Sequence, residues 1–172
     1  MLRFVLAAAC AAMIAAPAMA QQAEQQQPPQ LQNLKKTQNG DWTLECGEVP
    51  GNNQRICQMT QVINNPKTGK AIMQAVVIKP PGSPSAVMRL IAPLGVWLRP
   101  GVGFNVDGGS AETVQFDFCL REGCIAQIAV STGLANAMKR GSRGQISIQN
   151  IRRQKLDLAM SLRGFTASFD SL

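Results

Sequence analysis

The sequence predicts an all-β fold, a β-sandwich or barrel-like arrangement of about ten short antiparallel strands with one short helix. Three observations lead there. Apolar and polar side chains alternate over short runs, the period of a half-buried strand. Clusters of Gly, Pro and Asn punctuate those runs at close intervals. Only one segment carries helical spacing.

The first strand is expected at Asp41–Cys46, where Trp42, Leu44 and Cys46 alternate with Asp41, Thr43 and Glu45. A loop containing Pro50-Gly51 leads to a second strand, about Ile56 to Ile63. Asn64-Asn65-Pro66 and Gly69 mark the next turn. Ala71–Ile78 is apolar at nearly every position and reads as a central strand covered on both faces, ended by the proline-rich stretch at 80–84. Val87–Ile91 and Val96–Leu98 are expected strands joined through Pro93-Leu94-Gly95. Val114, Phe116 and Phe118 share one strand face, with Ile125–Val130 as the neighbouring strand. Ser131 or Thr132 can cap a helix whose Leu134, Ala137 and Met138 lie on one side, with Lys139 and Arg140 near its carbonyl end and Gly141 as its stop. The final strands hold Ile146 and Ile148, then Leu156, Leu158, Met160 and Leu162, each series alternating with polar residues.

Two segments precede this domain. Residues 1–20 combine Arg3, the apolar run Phe4–Ala16 and Ala18-Met19-Ala20, the pattern of a secretory signal peptide cleaved after Ala20. Cys10 follows three alanines and vaguely resembles a lipobox cysteine, but cleavage there would leave a very short apolar region. Residues 21–38 hold eight glutamines and Pro28-Pro29, with few large apolar side chains, and are expected to form a flexible leader. Residues 39–172 are then the folded β-domain.

Export changes the cysteine count. Cys10 leaves with the signal, and Cys46, Cys57, Cys119 and Cys124 remain, an even number that reads as disulfides in an oxidising compartment. Four cysteines allow three connectivities. Local pairing, Cys46 with Cys57 and Cys119 with Cys124, is favoured because each pair brackets a hairpin. The Cys-x4-Cys spacing lacks the close pairs of a zinc knuckle or a Cys-x-x-Cys redox motif.

The 172 residues contain no histidine and no tyrosine, which excludes Ser-His-Asp and Cys-His catalysis and His-ligated metals. Gly101-x-Gly103 precedes no helix, Asp107-Gly108-Gly109-Ser110 has too few acids for a calcium loop, and Asp117 has no partner carboxylate spaced for acid–base work. No catalytic residue, cofactor or metal site is therefore expected. Charge carries more information. Lys139, Arg140, Arg143, Arg152, Arg153, Lys155 and Arg163 face only Asp157 between residues 139 and 163. Pairing of the last two strands is expected to bring Arg143, Arg152, Arg153 and Lys155 to one end, as a patch for an anionic partner.

Several ordered motifs carry a family resemblance. Asn39-Gly40-Asp41-Trp42, the Cys46/Cys57 pair, Pro93-Leu94-Gly95-Val96-x-Leu98-x-Pro100-Gly101-Val102, Phe116-x-x-Cys119-x-x-x-Gly123-Cys124 and Ser161-Leu162-x-Gly164-Phe165 occur in sequence. Together the set resembles the invasion-associated locus B family of exported bacterial proteins, over about residues 39–169. The resemblance implies a periplasmic, outer-membrane-associated or secreted protein of a Gram-negative, chiefly alphaproteobacterial, cell. Some members of that family are linked to entry into host red blood cells, while others occur in non-pathogens. It supplies no catalytic residue set.

The expectation is a non-enzymatic envelope protein that binds an anionic lipid, an acidic polysaccharide or another envelope protein, and no nucleic acid. The alternatives are a periplasmic enzyme whose carboxylate or Ser-Lys site assembles only in three dimensions, and a structural or folding-support protein of the envelope. Trp97 beside Arg99 is expected either to be exposed as a contact or to be covered by the helix.

Overall fold

Alternating side chains build two antiparallel sheets whose apolar faces meet. The computed structural model describes residues 30–172 except Asn53; the predicted signal peptide, Cys10 and leader residues 21–29 lie outside the described residues. The elements are β1 (Gln32–Asn39), β2 (Trp42–Glu48), β3 (Arg55–Asn64), β4 (Ala71–Ile78), β5 (Ala86–Ala92), β6 (Val102–Val106), β7 (Glu112–Val114), β8 (Phe116–Leu120), β9 (Gly123–Val130), α1 (Thr132–Arg140), β10 (Arg143–Gln149), β11 (Lys155–Ser161) and α2 (Phe165–Phe169). The larger sheet has the order β1-β2-β3-β4-β5-β9-β8 and the smaller β11-β10-β6-β7. Neither closes into a barrel among the described residues, which narrows the expected sandwich or barrel to two facing sheets.

The core forms from one face of each strand. Trp42, Leu44, Met59, Ile63, Met73, Val77, Met88, Leu90 and Ile128 of the larger sheet are buried against Val102, Phe104, Ile146, Ile148, Leu158 and Met160 of the smaller. The strands of the two sheets cross instead of running side by side. The Ser161 end of β11 meets Trp42 of β2 and Gln61 of β3, while the Leu156 end lines a groove with Ile72 of β4 and Pro93 just beyond β5. β11 thus runs across the strand ends of the larger sheet.

A clasp fixes this crossing. The Trp42 indole N–H donates to the Ser161 carbonyl at 2.9 Å, and the Asp41 amide donates to the Arg163 carbonyl at 3.1 Å. Phe165 is fully buried edge-on to Trp42 with centroids 5.5 Å apart, and Phe169 stacks on it at 5.2 Å. Gly164 has φ +86°, and a Cβ there would lie 2.0 Å from the Asn39 carbonyl oxygen. The Asn39-Gly40-Asp41-Trp42 and Leu162-x-Gly164-Phe165 motifs therefore touch although Asp41 and Arg163 are 122 residues apart in sequence, and their role is structural.

Several expectations are corrected. Gln32–Asn39 is a strand paired with β2, not part of the leader; it has no apolar alternation because it is an exposed edge held by the backbone ladder. β4 is central, but only its inner face is buried, since nothing among the described residues covers the outer one. Val96–Leu98 forms a single bridge, Val96 opposite Asn150, because Pro93 and Pro100 bracket too little chain for a strand. Val114 belongs to the smaller sheet and Phe116 and Phe118 to the larger; a register shift between the two phenylalanines leaves Phe118 exposed. A second helix, α2, follows Gly164 and is too short to show a helical period. The predicted helix is present as α1: the Ser131 hydroxyl accepts from the Leu134 amide, and Ala135 and Met138 are its buried residues.

Candidate functional site

The ladder between β10 and β11 places Arg143 opposite Ser161 and Gln149 opposite Lys155. Arg152 and Arg153 therefore sit in the turn between the strands and Lys155 at its foot. Arg143 lies at the far end, roughly 20 Å away at the usual rise per strand residue. The expected gathering of Arg143 with the other three does not occur, because register separates the two ends of a hairpin. Two of the far-end cations are engaged. Lys139 pairs with Asp170 and lies over the Phe169 ring. The Arg163 guanidinium donates through Nε and Nη2 to the Asp41 carboxylate and holds that acid below its ordinary range; Ser161 assists. Lys155 pairs with Asp157 at 3.0 Å on the exposed surface, where an ion pair adds little. Among the described residues, Arg140, Arg143, Arg152 and Arg153 have no carboxylate within ion-pair distance.

The turn carrying Arg152 and Arg153 is held from within. The Asn150 carboxamide oxygen accepts from the amides of Arg152 and Gln154 at 2.9 and 3.0 Å, and Asn150 Nδ2 donates to Gln154 Oε1 at 2.9 Å. This Asx geometry is what makes Asn suited to the position. It presents Ile151, which is 74% exposed.

The turn is also held from outside, by the segment 93–101. The Trp97 amide donates to the Gln149 carbonyl at 2.7 Å and the Ile151 amide to the Gly95 carbonyl at 3.1 Å. The Arg153 guanidinium lies over the Trp97 ring, 4.9 Å from its centroid. Trp97 is thus half-covered, by an arginine and not by the helix. Leu94 and Leu98 flank this contact and are 60% and 44% exposed. Beside them opens a groove of about 510 Å³ lined by Lys67, Ile72, Leu94, Val96, Lys155 and Leu156 among others.

Three loops therefore meet at one end of the domain: 64–72, 93–101 and 149–157. They contribute Lys67, Lys70, Arg99, Arg152, Arg153 and Lys155, and only one carboxylate, Asp157. Lys67, Leu94, Leu98 and Ile151 escape sequence reasoning. For Leu94 and Leu98 the available signal is a large aliphatic residue inside a Pro/Gly-rich turn, where burial is not its natural state; Lys67 and Ile151 carry no such signal.

Other candidate chemistry resolves into structure. The Asp107 carboxylate accepts from the amides of Ser142 and Arg143 at 2.8 and 2.9 Å, fixing the start of β10. Asp117 is exposed and accepts from Gln127 at 3.1 Å. Ser147 and Lys155 share a small recess, but Lys155 is exposed and ion-paired, the opposite of a desolvated catalytic lysine. Among the described residues no three His, Cys, Asp or Glu side chains are placed to hold a metal ion. No helix there is long and apolar enough to cross a membrane.

Both disulfides join residues directly opposite in their ladders, Cys46 to Cys57 across β2 and β3 and Cys119 to Cys124 across β8 and β9, with Cα atoms 4.1 and 3.9 Å apart. The locally favoured connectivity is the one formed.

Residues 42–172 match the family model described as invasion associated locus B (IalB) protein. The chain belongs to the IalB family. Two Brucella abortus proteins, each called an invasion protein B homolog, from strain 2308 and from biovar 1 strain 9-941, are 25% identical to it over 133 residues, covering 77% of this chain and 75% of theirs. The crystal structure of invasion associated protein B from Bartonella henselae superposes with a TM-score of 0.69 at 19% identity, over 80% of this chain and 93% of that one, and shows that the fold is shared.

Within this IalB chain the motifs divide by role. The first and last form the clasp. The Pro93–Val102 motif lies at the loop end, and the Phe116–Cys124 hairpin abuts it, since a Cβ on Gly123 would meet the Ala92 carbonyl oxygen at 2.2 Å.

Proposed function

We propose that this IalB-family chain is an exported, non-enzymatic protein of the bacterial envelope that binds an anionic or protein partner through the loop end. Export follows from the signal-like residues 1–20, with the protein acting in the periplasm, at the outer membrane or after secretion. The observation that carries the reading is the interlocked pair of loops 93–101 and 149–157. They hold Arg152, Arg153 and Arg99 beside exposed Leu94, Leu98 and Ile151. Cations and aliphatic side chains held out on rigid turns favour contact with a surface over catalysis. The relatives are named for invasion, and a part in host-cell entry would run through the same contact.

The test is co-sedimentation of the protein with envelope membranes of the producing bacterium as salt is raised. Binding is expected to weaken with salt and to be lost in Arg152→Glu/Arg153→Glu/Lys155→Glu. The far-end variant Arg140→Glu/Arg143→Glu is expected to bind normally. Equal binding by the loop-end variant and the unaltered protein would overturn the reading.

A further inference from the structure

We infer that the partner surface is an anionic phospholipid bilayer, on which the domain docks by inserting Ile151 and Leu94 between headgroups while Arg99 and Arg152 engage phosphates. The inference rests on the proposed loop-end contact and names its chemistry.

The loop end complements such a bilayer in both charge and apolar surface. Ile151 and Leu94 stand on loops tied to each other by the Ile151–Gly95 and Trp97–Gln149 backbone bonds, so they project from a common platform and not from independently moving turns. Insertion of two aliphatic side chains alone is a weak anchor, and a polybasic rim alone is equally weak; stable peripheral binding takes both signals. Both are present here. An acidic polysaccharide would satisfy the cations but offer no hydrocarbon for side chains that are 74% and 60% exposed. Trp97 lies behind them with Arg153 over its ring, where an indole suits the boundary between headgroup and acyl chain.

The two tryptophans make this testable. Trp42 is fully buried in the core, so any fluorescence change on docking reports Trp97. The unaltered protein is mixed with vesicles of phosphatidylethanolamine and phosphatidylglycerol, and separately with phosphatidylcholine vesicles. A blue shift and co-sedimentation are expected with the anionic vesicles only. Arg99→Gln/Arg152→Gln, at about 1 kcal/mol for each basic residue near an anionic surface, is expected to weaken partition roughly 30-fold. Ile151→Asp is expected to weaken it about tenfold or more. All three positions are exposed, and an unchanged circular dichroism spectrum shows that the variants fold. Binding that ignores Ile151→Asp and leaves Trp97 emission unmoved is adsorption by charge alone and overturns the inference. Absence of vesicle binding also overturns it. If salt-sensitive, Arg152-dependent binding to envelope membranes persists in that case, the loop-end contact stands with a protein or polysaccharide partner. If that binding is absent too, both readings fall.

Discussion

Gln61 meets Ser161 with both ends of its side-chain amide: Nε2 donates to the Ser161 carbonyl at 3.0 Å, and Oε1 accepts from the Ser161 amide at 2.8 Å. A side chain of the larger sheet thereby supplies the hydrogen bonds that a neighbouring strand would give β11, at the point where the sheets cross. Gln61 is one of very few buried polar residues, and no buried side-chain polar atom among the described residues lacks a partner.

Replacing it tests the crossing. Gln61→Leu leaves the Ser161 amide without its acceptor in a half-buried site, and is expected to cost about 1–3 kcal/mol. Thr60→Val, on the outer face of the same strand, is expected to cost about 0.5 kcal/mol or less. Urea unfolding of the two variants measures the difference; equal values would show that Gln61 does not hold the sheets together.

The clasp makes a second prediction. Gly164→Ala must hold an L side chain at φ +86° against the Asn39 carbonyl, and the neighbouring backbone has no flexible side chain to yield. A loss of about 3 kcal/mol or more is expected, read as a lowered thermal midpoint. Gly51→Ala, at φ +91° with nothing near its Cβ, bears only the conformational part and is expected to lose about 1 kcal/mol.

How far the fold is legible in the sequence depends on what each residue is paired with. Period-2 alternation exposes β2, β3, β10 and β11, because one face of each is buried and the other wet. β1 carries no such pattern: its residues are exposed along almost its whole length, and only its ladder to β2 makes it a strand. Gln61 occupies an inward position of β3, between Met59 and Ile63, so its burial is readable, while its partner 100 residues away is not. The basic cluster was legible as composition and not as place. Register decides that Arg143 and Arg152 lie at opposite ends, and register is a property of the folded ladder.

Acid should weaken the domain through two carboxylates. Hydrogen bonding to Arg163 holds Asp41 below its ordinary value of 3.8, and Lys36, with Gln58, holds Glu45 below 4.5. Both are depressed on folding, so the unfolded chain takes up protons first and stability falls as pH drops below about 4.5. The contribution is complete above that value and fades through the lowered folded values. Asp41→Asn/Glu45→Gln is expected to start less stable at neutral pH and to show a flatter decline between pH 5 and 2, followed by urea titrations across that range. An unchanged slope would mean that neither acid couples to folding.

The two disulfides should separate under reductant. Cys119 is exposed, whereas Cys46 and Cys57 are both buried, so Cys119–Cys124 is expected to open first in the native state. Timed alkylation and mass analysis resolve the order. By loop-closure entropy, removing the 11-residue Cys46–Cys57 link costs roughly 3 kcal/mol and the 5-residue Cys119–Cys124 link roughly 2. Reversal of either ranking would show that native-state packing outweighs loop length and access.

The central claim is that the loop end is the face this protein presents to its partner. Hydrogen–deuterium exchange of the protein, free and bound to envelope membranes, tests it at residue resolution. Slowed exchange confined to 93–99 and 149–155 is the predicted result. Protection confined instead to the outer face of the larger sheet, or to the α1–α2 end with Arg140 and Arg143, would contradict the account.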